Sequence, residues 1–200
     1  MKTIKTPTGT IKYYKNYVIK KLDNPILKLD QEWLTHYQAV ADNNNYLVKV
    51  NRIVKENLTF EMERLDIVSD IAHIFNVSEL RHHLTRNVVS EIYKAVNTTW
   101  IDSIQYSNDI GLEHGSYFLH GDMALKNILL LADGSVKIGD PESFHIMDRL
   151  HYAESYAAMH THLMFGLQRL YRDKILPFNA THAIDFAVSA LEEELEIEDR

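Results

Sequence analysis

The sequence predicts an α+β protein of two lobes, and three observations carry that expectation. β-rich runs fill the first third of the chain around a single helical segment; the composition turns helical after about residue 66; and one strong hairpin signal, Asp133-Gly134, interrupts the helical part. The division follows the composition: residues 1–65 form a small strand-rich lobe with one helix, and residues 66–200 form a mostly helical lobe.

In chain order, residues 11–14 and 17–22 are β-rich runs separated by Lys15-Asn16, a turn-forming pair. Asn24-Pro25 has the form of a helix start, with Asn capping and Pro at the first helical position. From there Ile26, Leu29, Trp33, Tyr37 and Val40 recur at three- and four-residue steps, until Asp42, Asn43, Asn44 and Asn45 end the pattern. Residues 46–54 and 57–62 form a second strand pair turning near Lys55-Glu56. Ser78 can cap a long helix reaching residue 108, with Leu80, Leu84, Val88, Ile92, Val96 and Trp100 on its buried side. A short apolar strand at 117–119 follows, then strands 127–131 and 135–138 flanking Asp133-Gly134. Residues 148–171 and 181–196 are two further helices, broken around Pro177.

Composition excludes several classes. The 200 residues include no cysteine, which removes disulfides, thiolate metal sites and thiol nucleophiles. No apolar run approaches the ~18 residues of a membrane span, and the first residues lack the apolar core of a signal peptide, so the expectation is a cytoplasmic protein with no membrane partner. Net charge is −7, with seven lysines against one acid in residues 1–28 and six acids against one base in residues 192–200. An acidic balance of this kind speaks against a nucleic-acid partner. The eleven histidines do not form a zinc pattern: His82-His83 are adjacent and His160 and His162 lie two apart, so neither pair shares a helical face.

The chemistry concentrates in His120-Gly121-Asp122-Met123-Ala124-Leu125-Lys126-Asn127 and in Ile138-Gly139-Asp140. Phosphoryl transfer from a nucleotide calls for a carboxylate facing the acceptor hydroxyl, a metal to screen the phosphates and a cation to hold them. An Asp on a loop after a short strand, with an Asn five residues later, places an acceptor-orienting carboxylate beside a metal ligand. The hairpin then returns Asp140 to the same edge. Oxygen ligands of this type suit magnesium.

These residues resemble the protein-kinase superfamily, through the H-x-D-x-x-x-x-N loop, the hairpin and the Asp that follows it. The His-Gly-Asp form is similar to the aminoglycoside phosphotransferase and small-molecule kinase branch. The core of the likeness spans residues 118–142, and the element order extends it to about 8–165. The resemblance implies a bilobal kinase-like fold with a reduced helical lobe, ATP and Mg2+ as cofactors, Asp122 as catalytic base, Asn127 as catalytic-loop metal ligand, Asp140 as second metal ligand and His120 as a structural histidine. It further implies that Lys20, or else Lys21, holds the α and β phosphates, that Glu32 pairs with that lysine, that Val18 touches adenine, and that the 60–65 passage containing Glu63 meets adenine with its backbone.

The chain departs from the family pattern at three places. The glycine-rich loop is reduced to Thr8-Gly9-Thr10; Asp140-Pro141-Glu142 replaces Asp-Phe-Gly; and no Ala-Pro-Glu motif follows. Proline at 141 argues against a flipping switch, and Glu142 is either a second carboxylate near the metal or a capping residue. The implied reaction moves the γ-phosphoryl of ATP to a hydroxyl, on a small molecule by preference. The alternatives are a protein serine/threonine kinase, a pseudokinase acting as a binding module, and a nucleotidyl transferase.

Overall fold

The computed structural model describes residues 2–6, 9–23, 29–56 and 58–173, and the architecture is α+β. A five-stranded antiparallel sheet has the order β1-β2-β3-β5-β4, built from β1 (Lys2–Thr6), β2 (Gly9–Tyr13), β3 (Tyr17–Leu22), β4 (Val50–Lys55) and β5 (Thr59–Glu63). In β3, Val18, Lys20 and Leu22 are buried on one face while Lys21 is exposed on the other, the alternation that a pleated strand imposes. Register places Lys20 between Ile11 of β2 and Phe60 of β5.

Helix α1 (Gln31–Asn43) lies between β3 and β4 in the chain. Asp30 caps it, accepting the Trp33 N–H at 3.0 Å. The expected start at Asn24-Pro25 lies outside the described residues. Trp33, Leu34, Tyr37, Val40 and Ala41 form its buried face. Two polar tips on that face find carbonyl acceptors, as buried donors must: Trp33 Nε1 donates to Phe144 O at 2.9 Å and Tyr37 Oη to Val48 O at 2.6 Å.

The second half begins with a strand where helix was expected, β6 (Ile67–Asp70), followed by α2 (Ile71–Asn76) and a 3-10 turn at Ser78–His83. The long helix α3 (Arg86–Asp109) starts later than Ser78: Thr85 is its cap, accepting the Val88 N–H at 3.2 Å. Leu84 is buried just ahead of it, and Val88, Ile92 and Val96 are buried along it. β7 (Ser116–His120) leads into the loop, and β8 (Ile128–Leu131) and β9 (Val136–Ile138) form the expected hairpin, with Gly134 at φ 86°. β6 joins this hairpin as a third strand, in the order β6-β8-β9. A strand, β10 (Phe144–Asp148), pairs antiparallel with β7 before the chain enters α4 (Arg149–Arg172); the passage from Asp140 into helix is therefore interrupted by a strand. The expected helix at 181–196 lies outside the described residues.

One cluster of buried residues runs from Leu22 to Leu170 and includes Phe60, Tyr93 and Phe144. Burying a Phe of this kind stabilises by about 1.5–3 kcal/mol before cavity effects. The 46–48 segment joins the β9 end through Ile138 N–H to Tyr46 O, 2.6 Å, and Val48 N–H to Ile138 O, 3.2 Å. That connection carries the end of the hairpin against the five-stranded sheet, and Asp140 follows two residues later. No helix among the described residues is long and apolar enough to cross a membrane.

Candidate active site

The loop after β7 is shaped by hydrogen bonds among its own residues. The Asp122 backbone N–H donates to His120 Nδ1 at 3.2 Å, so the imidazole proton sits on Nε2, which donates to Gly139 O at 3.0 Å. His120 is fully buried, and burial lowers its pKa in opposition to the Gly139 bond and the Asp140 and Asp122 charges. A neutral His120 thus ties the loop to the residue before Asp140, the structural role the resemblance implied. Gly121 has a local reason to be glycine: an added Cβ would lie 2.3 Å from His145 Cε1 and 2.9 Å from Met147 Cε, both on β10. The Gly121 N–H also donates to Ser143 O at 2.8 Å. His-Gly-Asp is therefore explained by strand packing, whatever the acceptor.

Asn127 is buried, and its amide donates to Asp122 O at 2.8 Å and to Asp122 Oδ2 at 3.2 Å. Asp122 Oδ2 also meets Lys126 Nζ at 2.8 Å. Asp122 is half exposed, its carboxylate held from one side and open on the other. Lys126 was not singled out from the sequence, although its i, i+4 spacing from Asp122 was the available signal.

Asp140 stands at the turn into a 3-10 segment (Pro141–Ser143) with left-handed φ 58° and ψ 51°. Lys20 Nζ donates to Asp140 Oδ1 at 2.5 Å, and Ser143 Oγ to Asp140 Oδ2 at 3.0 Å. Lys20 is also in ion-pair contact with Glu142. Burial alone would lower the Lys20 pKa, but Glu142 and Asp140 together raise it. Burial opposes ionisation of Asp140 too, yet the Lys20 charge and hydrogen bond hold its pKa down. Burial pushes the Glu142 carboxyl up, Lys20 opposing and the neighbouring Asp140 charge adding to the rise.

Of the two candidate lysines, Lys20 is buried and lines the cavity described below, and Lys21 is exposed. The expected Lys20–Glu32 pair is a correction. Glu32 is exposed in the first turn of α1, and the lysine takes its partners from the Asp140 turn. With the helix beginning at Gln31 rather than further back, Glu32 sits at its end, away from the sheet-facing side. Glu142, either a carboxylate near the metal or a capping residue by the sequence, lies against Lys20.

A cavity of about 490 Å³ collects these groups: Val18, Lys20 and Glu63 from the sheet, Lys126 and Asn127 from the loop, and Asp140. Val18 and Lys20 share its wall as expected for alternate strand residues. Glu63 lines it too, but its carboxylate is engaged by the Lys49 N–H at 2.7 Å and Lys137 Nζ at 3.4 Å. Asn127 and Asp140 line the cavity with an amide and a carboxylate, oxygen donors of the type magnesium takes, and in this structure Lys20 and Ser143 engage the two Asp140 oxygens. Gly9, in the reduced glycine loop, is a strand residue whose missing side chain lets β2 approach β3: a Cβ there would lie 2.0 Å from Lys21 O. A second groove of about 480 Å³ runs from Phe75 of α2 past Leu125 and Lys126 to His162, Phe165 and Arg169 of α4. Lys126 borders both spaces.

No family model matches the chain. The chain is similar to the serine/threonine-protein kinase SSN3 of Kluyveromyces lactis, 26% identical over 136 residues, covering 62% of this chain and 21% of that protein. It thus spans about a fifth of the length of that relative, and the likeness supports a distant relationship to kinases.

Proposed function

We propose that this chain is a bilobal kinase-like phosphotransferase, of the aminoglycoside-phosphotransferase type in its motifs, that moves the γ-phosphoryl of ATP to a hydroxyl on a small molecule. The nucleotide lies between a lobe of residues 1–65 and a lobe of residues 66–200. The observation that carries this reading is that Lys20, Asn127 and Asp140, drawn from three distant parts of the chain, line one cavity with Asp122 bonded at its edge.

In this reading Lys20 holds the α and β phosphates, while Val18 and the backbone of the 60–65 passage containing Glu63 contact adenine. Asn127 and Asp140 hold magnesium, whose charge screens the phosphate oxygens when it is bound. Asp122, fixed by Asn127 and Lys126, orients the acceptor hydroxyl and accepts its proton as the oxygen–phosphorus bond forms and the bond to ADP breaks. Lys126, shared by cavity and groove, stands where the transferred group passes. The groove beside it has the volume of a small-molecule site.

A second reading, phosphorylation of a protein serine or threonine, is favoured by the likeness to the yeast kinase. The test is incubation with γ-labelled ATP and magnesium, alone and with cell extract, followed by sorting label into metabolite and protein fractions. Label in metabolites supports the proposal, and label in protein selects the second reading. Tight magnesium-ATP binding without transfer to either fraction identifies a binding module, and label from the α-phosphate alone identifies a nucleotidyl transferase.

A further inference from the structure

We infer that Glu142 is the residue that positions Lys20 in the cleft, so that the phosphate-holding lysine is anchored by the turn after Asp140 and not by helix α1. The inference rests on the phosphotransferase reading above and names a positioning residue within it.

Three observations carry it. The Lys20 and Glu142 side chains are 7% and 13% exposed, so their contact is an interior one. Glu32, the helical acid at hand, is exposed instead. Finally, the two carboxylates on Lys20 stand in different places. Asp140 and Pro141 line the nucleotide-sized cavity, and Glu142 does not. A metal–phosphate group entering the cavity therefore meets Asp140 first, while Glu142 stays on the inner side of the lysine. Once Asp140 is committed to the metal, Glu142 is the acid left to keep Lys20 aimed at phosphate.

The turn is built to hold that arrangement. Asp140 adopts the left-handed conformation, buried Pro141 opens the 3-10 segment with its φ restricted, and Ser143 Oγ is bonded back to Asp140. Glu142 is thus presented to Lys20 by a segment with little freedom, although 120 positions separate Asp140 from the lysine. A lysine anchored in this way keeps its aim when α1 moves.

The experiment compares the wild type with Glu142→Gln, Glu32→Gln, Lys20→Met and the double variant Lys20→Met/Glu142→Gln. It measures magnesium-ATP affinity by calorimetry and transfer kinetics across a magnesium series, with circular-dichroism melts to check folding. Glu142→Gln is expected to lower kcat/KM for ATP about ten- to a hundred-fold, the worth of one hydrogen bond to a charged group. Its half-saturating magnesium concentration should not move, adding it to Lys20→Met should cost nothing more, and Glu32→Gln should match the wild type.

Wild-type kinetics in Glu142→Gln would overturn the inference. So would additivity with Lys20→Met, or an effect confined to the magnesium requirement, which would make Glu142 a metal ligand. If Glu142→Gln does not fold, Glu142→Asp replaces it: a partial loss of kcat/KM for ATP is expected from the shorter reach, and wild-type behaviour overturns the assignment. A wild type that binds no magnesium-ATP removes the phosphotransferase reading itself, a result distinct from any of these.

Discussion

Replacing Gly121 by alanine is a small change with a calculable effect. The new Cβ would lie 2.3 Å from His145 Cε1, more than an ångström inside ordinary contact, and 2.9 Å from Met147 Cε. Met147 can bend away at little cost. The His145 ring has to rotate, giving up its bond from Nδ1 to Ser143 O, now 2.9 Å. Loss of such a bond costs about 1 kcal/mol, and forcing a methyl into a packed site typically costs about 1–3 kcal/mol. Alanine returns about 0.4–1 kcal/mol by restricting the unfolded chain, because Gly121 does not need a positive φ. The net expectation is a loss of about 1–3 kcal/mol, or roughly 2–12 °C in Tm for a chain of this size. Differential scanning calorimetry measures it, with Gly121→Ala/His145→Ala as the partner variant. Removing the imidazole should recover most of the loss, since the clash is with that ring. A Gly121→Ala melt equal to the wild type, or no recovery in the double variant, would refute the packing explanation for His-Gly-Asp.

Other predictions concern the cavity and its surroundings. Asp122→Asn should lower turnover about 10² to 10⁴-fold with ATP affinity held within a few-fold, whereas Asp140→Ala should lose both; equal loss of nucleotide binding in the two variants, read by calorimetry, would remove the division of labour between them. Lys20→Met should weaken nucleotide binding and transfer while Lys21→Met leaves both intact, because Lys20 lines the cavity and Lys21 does not; the reverse pattern in the same assays would reassign the lysine. His120, buried and neutral, has a pKa below its ordinary 6.5. Between the folded and unfolded values the unfolded chain binds the extra proton, so stability should fall as pH drops below about 6.5. Denaturant midpoints at pH 7.5 and 5.5 should show that fall, and a His120→Gln variant with an undiminished slope would show the proton is bound elsewhere.

Several features were legible because their causes are local. The β8–β9 hairpin follows from Asp133-Gly134, since a positive φ at one residue is enough to set the turn. The body of α3 follows from apolar residues at four-residue steps, and α4 falls within a residue of its expected span. The meeting of Asp122 and Asn127 was equally readable, because a five-residue spacing on one loop lets the Asn amide reach back to the Asp.

What tertiary structure decided has partners far away in the chain. β1 is mostly exposed and carries little apolar pattern, and it is a strand through its register with β2. β6 and β10 were missed because their partners, β8 and β7, lie in other parts of the chain, and a short strand has no signature apart from the strand beside it. The start of α3 passed from Ser78 to Thr85 because the intervening residues close a 3-10 turn first. The partner of Lys20 is the sharpest case. The resemblance pointed to Glu32, at the near end of the chain, but the lysine's surroundings were set by where the β9 end docks against the 46–48 segment, which brings Asp140 and Glu142 to β3. Sequence determined which residue types could do the chemistry; the packing of distant segments determined which of them meet, because ion-pair distances depend on sheet register and docking that no local run of residues encodes.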